Sequence, residues 1–294
     1  MVSELKARSP HRHPAASREL IVPTALPPNA RKGARFATRL AGASGRGLLI
    51  DGAWRPVFGL AEGQVRGSLL HLEVREEMGV GSSRPCDPAT LNAIDRERLD
   101  LAALEHAFAA QDAVEAGPHP PLLFLPIFWS TIRSPRARRQ ILHMVGHAQA
   151  RLKVVPVAEL RGIDAGIPAA VLREGAAELR PIFRAVLARL TPKRATVTQM
   201  AGCGLSGASV EVGDMAEGEG AVQPVVSALR GVGPNVMLHS LRSVAALMAA
   251  REAGATWASL DLVRAGLHLI PAAQDAFAAA GLTKTKEAAQ RAAS

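Results

Sequence analysis

Six short segments, each largely apolar and separated by stretches of helical spacing, restrict what this chain can fold into more than any other feature. They are Leu122–Phe128, Leu152–Val157, Ile182–Leu190, Ser206–Val212, Val236–Leu241 and Trp257–Leu262. A strand that is apolar throughout is buried on both faces, which is the condition of a parallel sheet covered by helices. Between these segments lie Arg136–Ala150, Pro168–Leu179, Lys193–Ala201, Ala221–Gly231 and Ser243–Ala253. Pro168 suits a first helical turn, and Gly254 stops the last of these helices. Repeated strand–helix units predict an α/β protein, either an eight-stranded barrel or an open doubly wound sheet.

Upstream, Trp54–Phe58 and Val65–Val74 read as two further strands. The short turn at Ala61–Gly63 makes that pair antiparallel. Gly79–Pro88 is a loop by its Gly, Ser and Pro content. Asp100–Val114 carries Leu101, Leu104, Ala107 and Phe108 at helical spacing. About eight strands over ~215 residues is a count that suits a barrel. Arg31–Leu40 reads as a short helix with Arg31, Arg35 and Arg39 on one face, and Leu267–Ala279 and Lys284–Ala293 read as terminal helices.

The segment WRPVFGLAEGQVRGSLLHLEVR (Trp54–Arg75) resembles the opening of the EAL family of cyclic di-GMP phosphodiesterases. Pro56, Leu60, Gly63, Val65, Gly67 and Leu72 fall in register with the family's QPIVDLxTGxVxGxEALLR. Later, LHSLRSVAALMAAREAGATWASL shares the apolar positions of AEGVETEEQLALLRALGCDYVQGYL, with Leu247, Ala253 and Gly254 on its Leu, Leu and Gly. CGLSGASVE (Cys203–Glu211) has the patterning of the LPVDVLKID strand. The resemblance spans roughly Leu48 to Val263 and implies a TIM-barrel-like, EAL-type barrel with an antiparallel first strand pair. The chain then divides into a basic, largely disordered arm over 1–47, a barrel over 48–265 and a helical tail over 266–294.

Active members of that family hold two divalent metals at the carboxyl ends of the barrel strands, and hard cations need several oxygen ligands. The signature glutamate falls here on Leu69, the Asn of N-L-S on Pro126, and the first Glu of E-I-T-E on Pro156, with Glu159 in place of the second. The paired aspartates of D-D-F-G fall near Ala188 and Arg189. The lysine of K-I-D is Ser209, with Glu211 at its aspartate; the Glu of A-E-G-V-E is His239 and the Gln of Q-G-Y is Ser259. Leu and Pro offer no donor, and Arg189 repels a cation. The resemblance thus implies a kept scaffold without catalytic residues, metal or cofactor. Glu159, Glu211 and His239 remain as candidate ligand-binding groups at the barrel mouth.

The net charge of +9 lies at the ends. Residues 1–47 hold nine Lys and Arg against Glu4 and Glu19, residues 263–294 are again net basic, and the body between is balanced. Nucleic acid or anionic lipid could therefore be met only through the arm, by counterion release. Two distant cysteines, Cys86 and Cys203, give neither a disulfide framework nor a zinc site, so a reducing cytoplasm is expected. No apolar run reaches the ~18–20 residues of a membrane span.

Other motifs carry less. Gly202–Gly207 fits G-x-G-x-x-G, but it follows a helix and enters a strand, the reverse of a dinucleotide fingerprint, and reads as a turn. His143 and His147 share a helix face, yet Met144 stands where a zinc protease needs Glu, and no third ligand is evident. Phe128 and Trp129 continue an apolar strand and are expected to fill core. The expected function is a catalytically inactive, bacterial EAL-like regulator or scaffold in cyclic di-GMP signalling, acting through a protein partner or homodimer. The alternatives are a small-ligand sensor or divergent enzyme using Glu211 and His239, and nucleic-acid or membrane-surface binding through the arm.

Overall fold

A computed structural model of the chain describes residues 35–43, 45–79, 81–110, 120–163, 166–190, 194–212, 222–261 and 275. Four strands come first: β1 Arg35–Ala41, β2 Gly47–Gly59, β3 Gln64–Gly79 and β4 Ser82–Pro85. After helix α1 (Ala93–Ala109) the chain alternates as β5 Leu122–Phe128, α2 Trp129–Arg133, α3 Pro135–Leu152, β6 Val155–Arg161, α4 Ala169–Leu179 and β7 Ala185–Arg189. It continues through α5 Arg194–Met200, β8 Gly207–Glu211, α6 Val222–Leu229, β9 Asn235–Leu241, α7 Val244–Glu252 and β10 Trp257–Leu260. The predicted terminal helices and most of the basic arm lie outside the described residues.

Strands β3 and β5 to β10 are parallel neighbours in chain order, and β2 closes the ring by pairing antiparallel with both β3 and β10. Closure decides between the two predicted architectures in favour of the eight-stranded barrel, which has no open edge. The β2–β3 hairpin is longer than the barrel is tall. Its far part, Leu48–Ala53 against His71–Glu76, rises past the carboxyl ends of the parallel strands, with β1 and β4 added at its two sides.

β1 corrects the predicted helix over Arg31–Leu40. Residues 35–41 form a strand because the edge of β2 offers seven backbone pairings, Arg35↔Ala53 through Ala41↔Gly47. The alternation of half-buried Phe36, Thr38 and Leu40 with exposed Arg35, Ala37, Arg39 and Ala41 is a period of two. Phe36 lies over Gly52, where a side chain would collide with its ring, and stacks on His106 of α1 at 6.0 Å. The arginine spacing that suggested a helix face instead places Arg39 against Glu77 across the sheet at 2.7 Å.

Helix α1 begins earlier than its apolar spacing suggested. Asn92 caps it, accepting from the Asp95 N–H at 2.9 Å, and Asp95 in turn accepts from the Ala43 N–H at 2.6 Å, which ties the helix to the β1–β2 turn. Helix α3 starts on the Ser134 cap with Pro135 in its first turn and stops at Lys153, which takes the left-handed conformation. Among the described residues no helix is long and apolar enough to cross a membrane.

The core has two parts. Leu160, Leu172, Ala176, Val226, Leu247 and their neighbours fill the layer between barrel and helices, and Trp129 joins them, its ring against Gly175. Val57, Leu69, Phe124, Val157, Ala185, Leu187 and Met237 fill the barrel itself. Gly67 lies where β3 meets β5: a Cβ there would stand 2.0 Å from the Leu122 carbonyl oxygen. Backbone cannot step aside as a side-chain tip can. Gly67→Ala is therefore expected to destabilise by roughly 1–3 kcal/mol, against the small gain from a stiffer unfolded chain. The midpoint of urea unfolding measures it, and an unchanged or raised midpoint would contradict the close approach.

Candidate site at the barrel mouth

The period of two that fills the barrel with Val57, Leu69, Phe124, Val157, Leu187 and Met237 continues one step toward the carboxyl ends with a different chemistry. The next inward positions are Arg55, His71, Pro126, Glu159, Arg189, Ser209, His239 and Ser259. Register brings them together: Arg55 pairs Leu69, Pro126 pairs Glu159, Arg189 pairs Ser209 and Glu211 pairs His239. The barrel is thus dry below and polar at its carboxyl end, where catalytic and ligand sites of such barrels lie.

Glu159 is the centre of this layer and is 1% exposed. Its Oε1 accepts from Ser209 Oγ at 2.5 Å and meets His239 Nε2. Its Oε2 makes no hydrogen bond and faces Arg189 Nη1 at 3.6 Å and Arg161 Nε at 3.9 Å. Burial alone would raise the carboxyl, but His239, Arg189 and Arg161 outweigh it and hold Glu159 well below the usual carboxylate range. Arg189 also grips Glu211 through Nη2 at 2.5 Å, at the open rim.

The other bases respond to the same crowding. Burial, followed by the field of Arg189, brings Arg161 down to about 10. Burial also lowers Arg55, which lies near Asp261, Glu73 and Glu211. Burial first, then Arg55, Arg161 and Arg189, push His71 down to about 3. His71 is therefore neutral at physiological pH, and its 3.8 Å approach to Glu73 is no ion pair. Above this layer lies a cavity of about 310 Å³, lined by His71, Asp87, Phe128, Arg161, Gly162, Arg189 and their neighbours. Arg96 lies over the Phe128 ring at 5.3 Å.

All three sequence candidates meet here, though in unequal positions. Glu159 and His239, at 1% and 2% exposure, lie beneath the cavity, while Glu211 sits at the rim. Arg55, His71 and Arg161 were not anticipated as part of the site. Each stands two residues from an inward-facing neighbour (Val57, Leu69, Glu159), so the strand period would have found them. Pro156 lies at the amino end of β6, opposite Leu123, so the lack of a carboxylate there does not bear on the mouth. Leu69 fills the barrel below, and Phe128 walls the cavity without plugging it. The Gly202–Gly207 turn joins α5 to β8, with Gly202 and Gly204 at positive φ, as read from sequence. His143 and His147 line a separate groove of about 440 Å³ with Glu105, Phe108 and Arg151. Among the described residues no three His, Cys, Asp or Glu side chains gather as a metal site.

No family model matches the sequence, and no curated relative does. Solved structures do match. YkuI of Bacillus subtilis, a protein with an EAL domain seen in complex with its substrate c-di-GMP and calcium, aligns with a TM-score of 0.54 at 12% identity over 81% of this chain. The fold is EAL-type. At that identity the likeness speaks of fold alone, and this chain spans 62% of the length of YkuI. The FimX EAL domain of Pseudomonas aeruginosa, bound to c-di-GMP, aligns at a TM-score of 0.46 and 15% identity over 70% of this chain and 86% of that one.

Two measurements check the electrostatics. Glu159→Gln removes the buried carboxylate that Arg161 and Arg189 share and is expected to cost roughly 3–5 kcal/mol of unfolding free energy. Glu211→Gln, at the solvated rim, should cost about 1 kcal/mol or less. Equal losses would contradict the layered site. The second check concerns Asp100, buried on α1, which accepts from the Phe128 N–H at 2.8 Å and from Thr131 Oγ1 at 2.6 Å. Burial outweighs both donors and raises its carboxyl to about 7, from an ordinary 3.8. The folded state then holds a proton that the unfolded state has lost, so this group's contribution to stability falls as pH rises from about 4 through 7. Between pH 5 and 8 the urea midpoint of Asp100→Asn should fall less than that of the wild type.

Proposed function

We propose that this chain is a catalytically inactive EAL-like domain, acting as a regulator in bacterial c-di-GMP signalling through protein contacts in the cytoplasm. The observation that carries the proposal is the position of Arg189. Its guanidinium stands 3.6 Å from Glu159 and 2.5 Å from Glu211, so the carboxylates that would face a metal already face a fixed cation. The two divalent ions implied by the fold need several oxygen donors held a few Å apart. The residues present do not fit them: Leu69 and Pro126 offer no donor, and Arg161 and Arg189 oppose the charge. Protein contact has room on the hairpin extension, where, among the described residues, β1 and β4 each pair with a strand on one side only.

A sensor role gains support from the cavity above the mouth, which remains open between β3 and the ends of β5, β6 and β7. Its wall offers His71, Arg161 and Arg189, while Glu159 and His239 position those groups from below. A role for the basic arm in binding nucleic acid or anionic lipid is left to a salt-dependence assay on chains with and without residues 1–47. The main proposal is tested by incubating the whole chain with c-di-GMP and Mg²⁺ or Mn²⁺ and following nucleotide products by chromatography. No turnover above a protein-free control is expected, and metal-dependent hydrolysis would overturn the proposal.

A further inference from the structure

Arg161 is a guanidinium with too few partners. Its side chain is only 18% exposed, and the nearest acid oxygen among the described residues, Glu159 Oε2, lies at 3.9 Å, beyond hydrogen-bond reach. Arg161 Nε is buried and makes no hydrogen bond. Glu159 does not satisfy it: Oε1 is taken by Ser209 and His239, and Oε2 makes no hydrogen bond to either Arg161 or Arg189. A buried charge without hydrogen bonds is costly, and an arginine fork is matched by the paired oxygens of a carboxylate or phosphate.

Both Arg161 and Arg189 border the cavity of about 310 Å³, and His71 borders it from β3. That volume is at the lower end of ligand pockets, enough for a small molecule. His71, held neutral by burial first and then by the arginines around it, keeps one donor and one acceptor for a ligand. Asp87 stands on the wall too, but its Oδ1 is engaged by the Ala89 N–H at 2.9 Å.

We propose that this cavity binds a small oxyanion-bearing molecule, its phosphate or carboxylate group held by Arg161 and Arg189 beside His71. The inference rests on the proposed loss of the metal chemistry, since it places an anion where the fold family places cations. In an enzyme the metals would draw the anion; here two guanidinium groups do so, and no covalent step is involved.

The test is calorimetric titration of the whole chain with inorganic phosphate and, separately, acetate, with chloride at equal ionic strength as the reference. Saturable binding of phosphate or acetate beyond chloride is expected, and whichever binds more tightly assigns the phosphoryl or carboxyl class. Arg161→Gln should weaken it by about tenfold or more, while Arg39→Gln, on the exposed face of β1, leaves it unchanged. Wild-type chain that binds neither anion overturns the inference without any variant, as does unaltered binding by Arg161→Gln. If Arg161→Gln fails to fold, His71→Ala must weaken binding for the inference to stand. Metal-dependent c-di-GMP turnover would remove the reading beneath it; absence of both turnover and anion binding would remove this inference alone.

Discussion

Closure of the barrel by one antiparallel strand is the constraint on which the rest of the structure depends. β2 must pair with β3 on one side and β10 on the other, so its residues 57–59 are shared by two neighbours. Once the ring is closed, the pleat sends every second side chain inward on all eight strands, and the interior can hold only what fits. Val57, Leu69, Phe124, Val157, Leu187 and Met237 fill it to the level at which the buried polar layer begins. The same closure lets the β2–β3 hairpin run on beyond the ring. Its strand β3, with the Asp87–Ala89 segment that follows β4, forms one wall of the cavity at the mouth.

The polar layer follows from the geometry of closure more than from any single strand. Glu159 on β6 reaches Ser209 on β8 and His239 on β9, strands that are not its neighbours in the sheet. Contacts across the inside of a ring are available only when the ring is shut. Within the layer the balance of charge is tight. One buried carboxylate faces two arginines and a histidine, and a second at the rim takes up part of the excess. The consequence is a mouth whose fixed charges are largely cationic groups held in place by acids. That arrangement is the basis for proposing an anionic ligand there in place of a divalent metal.

Much of the fold was legible because its parallel strands are apolar on both faces, a signal that survives without any knowledge of partners. Helices α3, α4 and α7 were equally readable from their spacing, with Pro168 at the start of α4 and Gly254 after α7, while the caps Ser134 and Ser243 were supplied by the structure. β1 was not. Its arginines are spaced at four, and a strand at a sheet edge is decided by the backbone groups of its neighbour, which local sequence does not display. The candidate site was legible in part. Glu159, Glu211 and His239 stood out by resemblance, whereas Arg55, His71 and Arg161 looked like ordinary polar residues near strand ends.

By itself the sequence determined the class of fold, the order of strands and helices, and the antiparallel start, because each of these is written in local periodicity and turn chemistry. Only the tertiary structure decided that the sheet closes, that Arg161 and Arg189 share one buried carboxylate, and that a cavity lies above them. Those features depend on which residues from distant strands meet, and register and closure, not composition, set that distance.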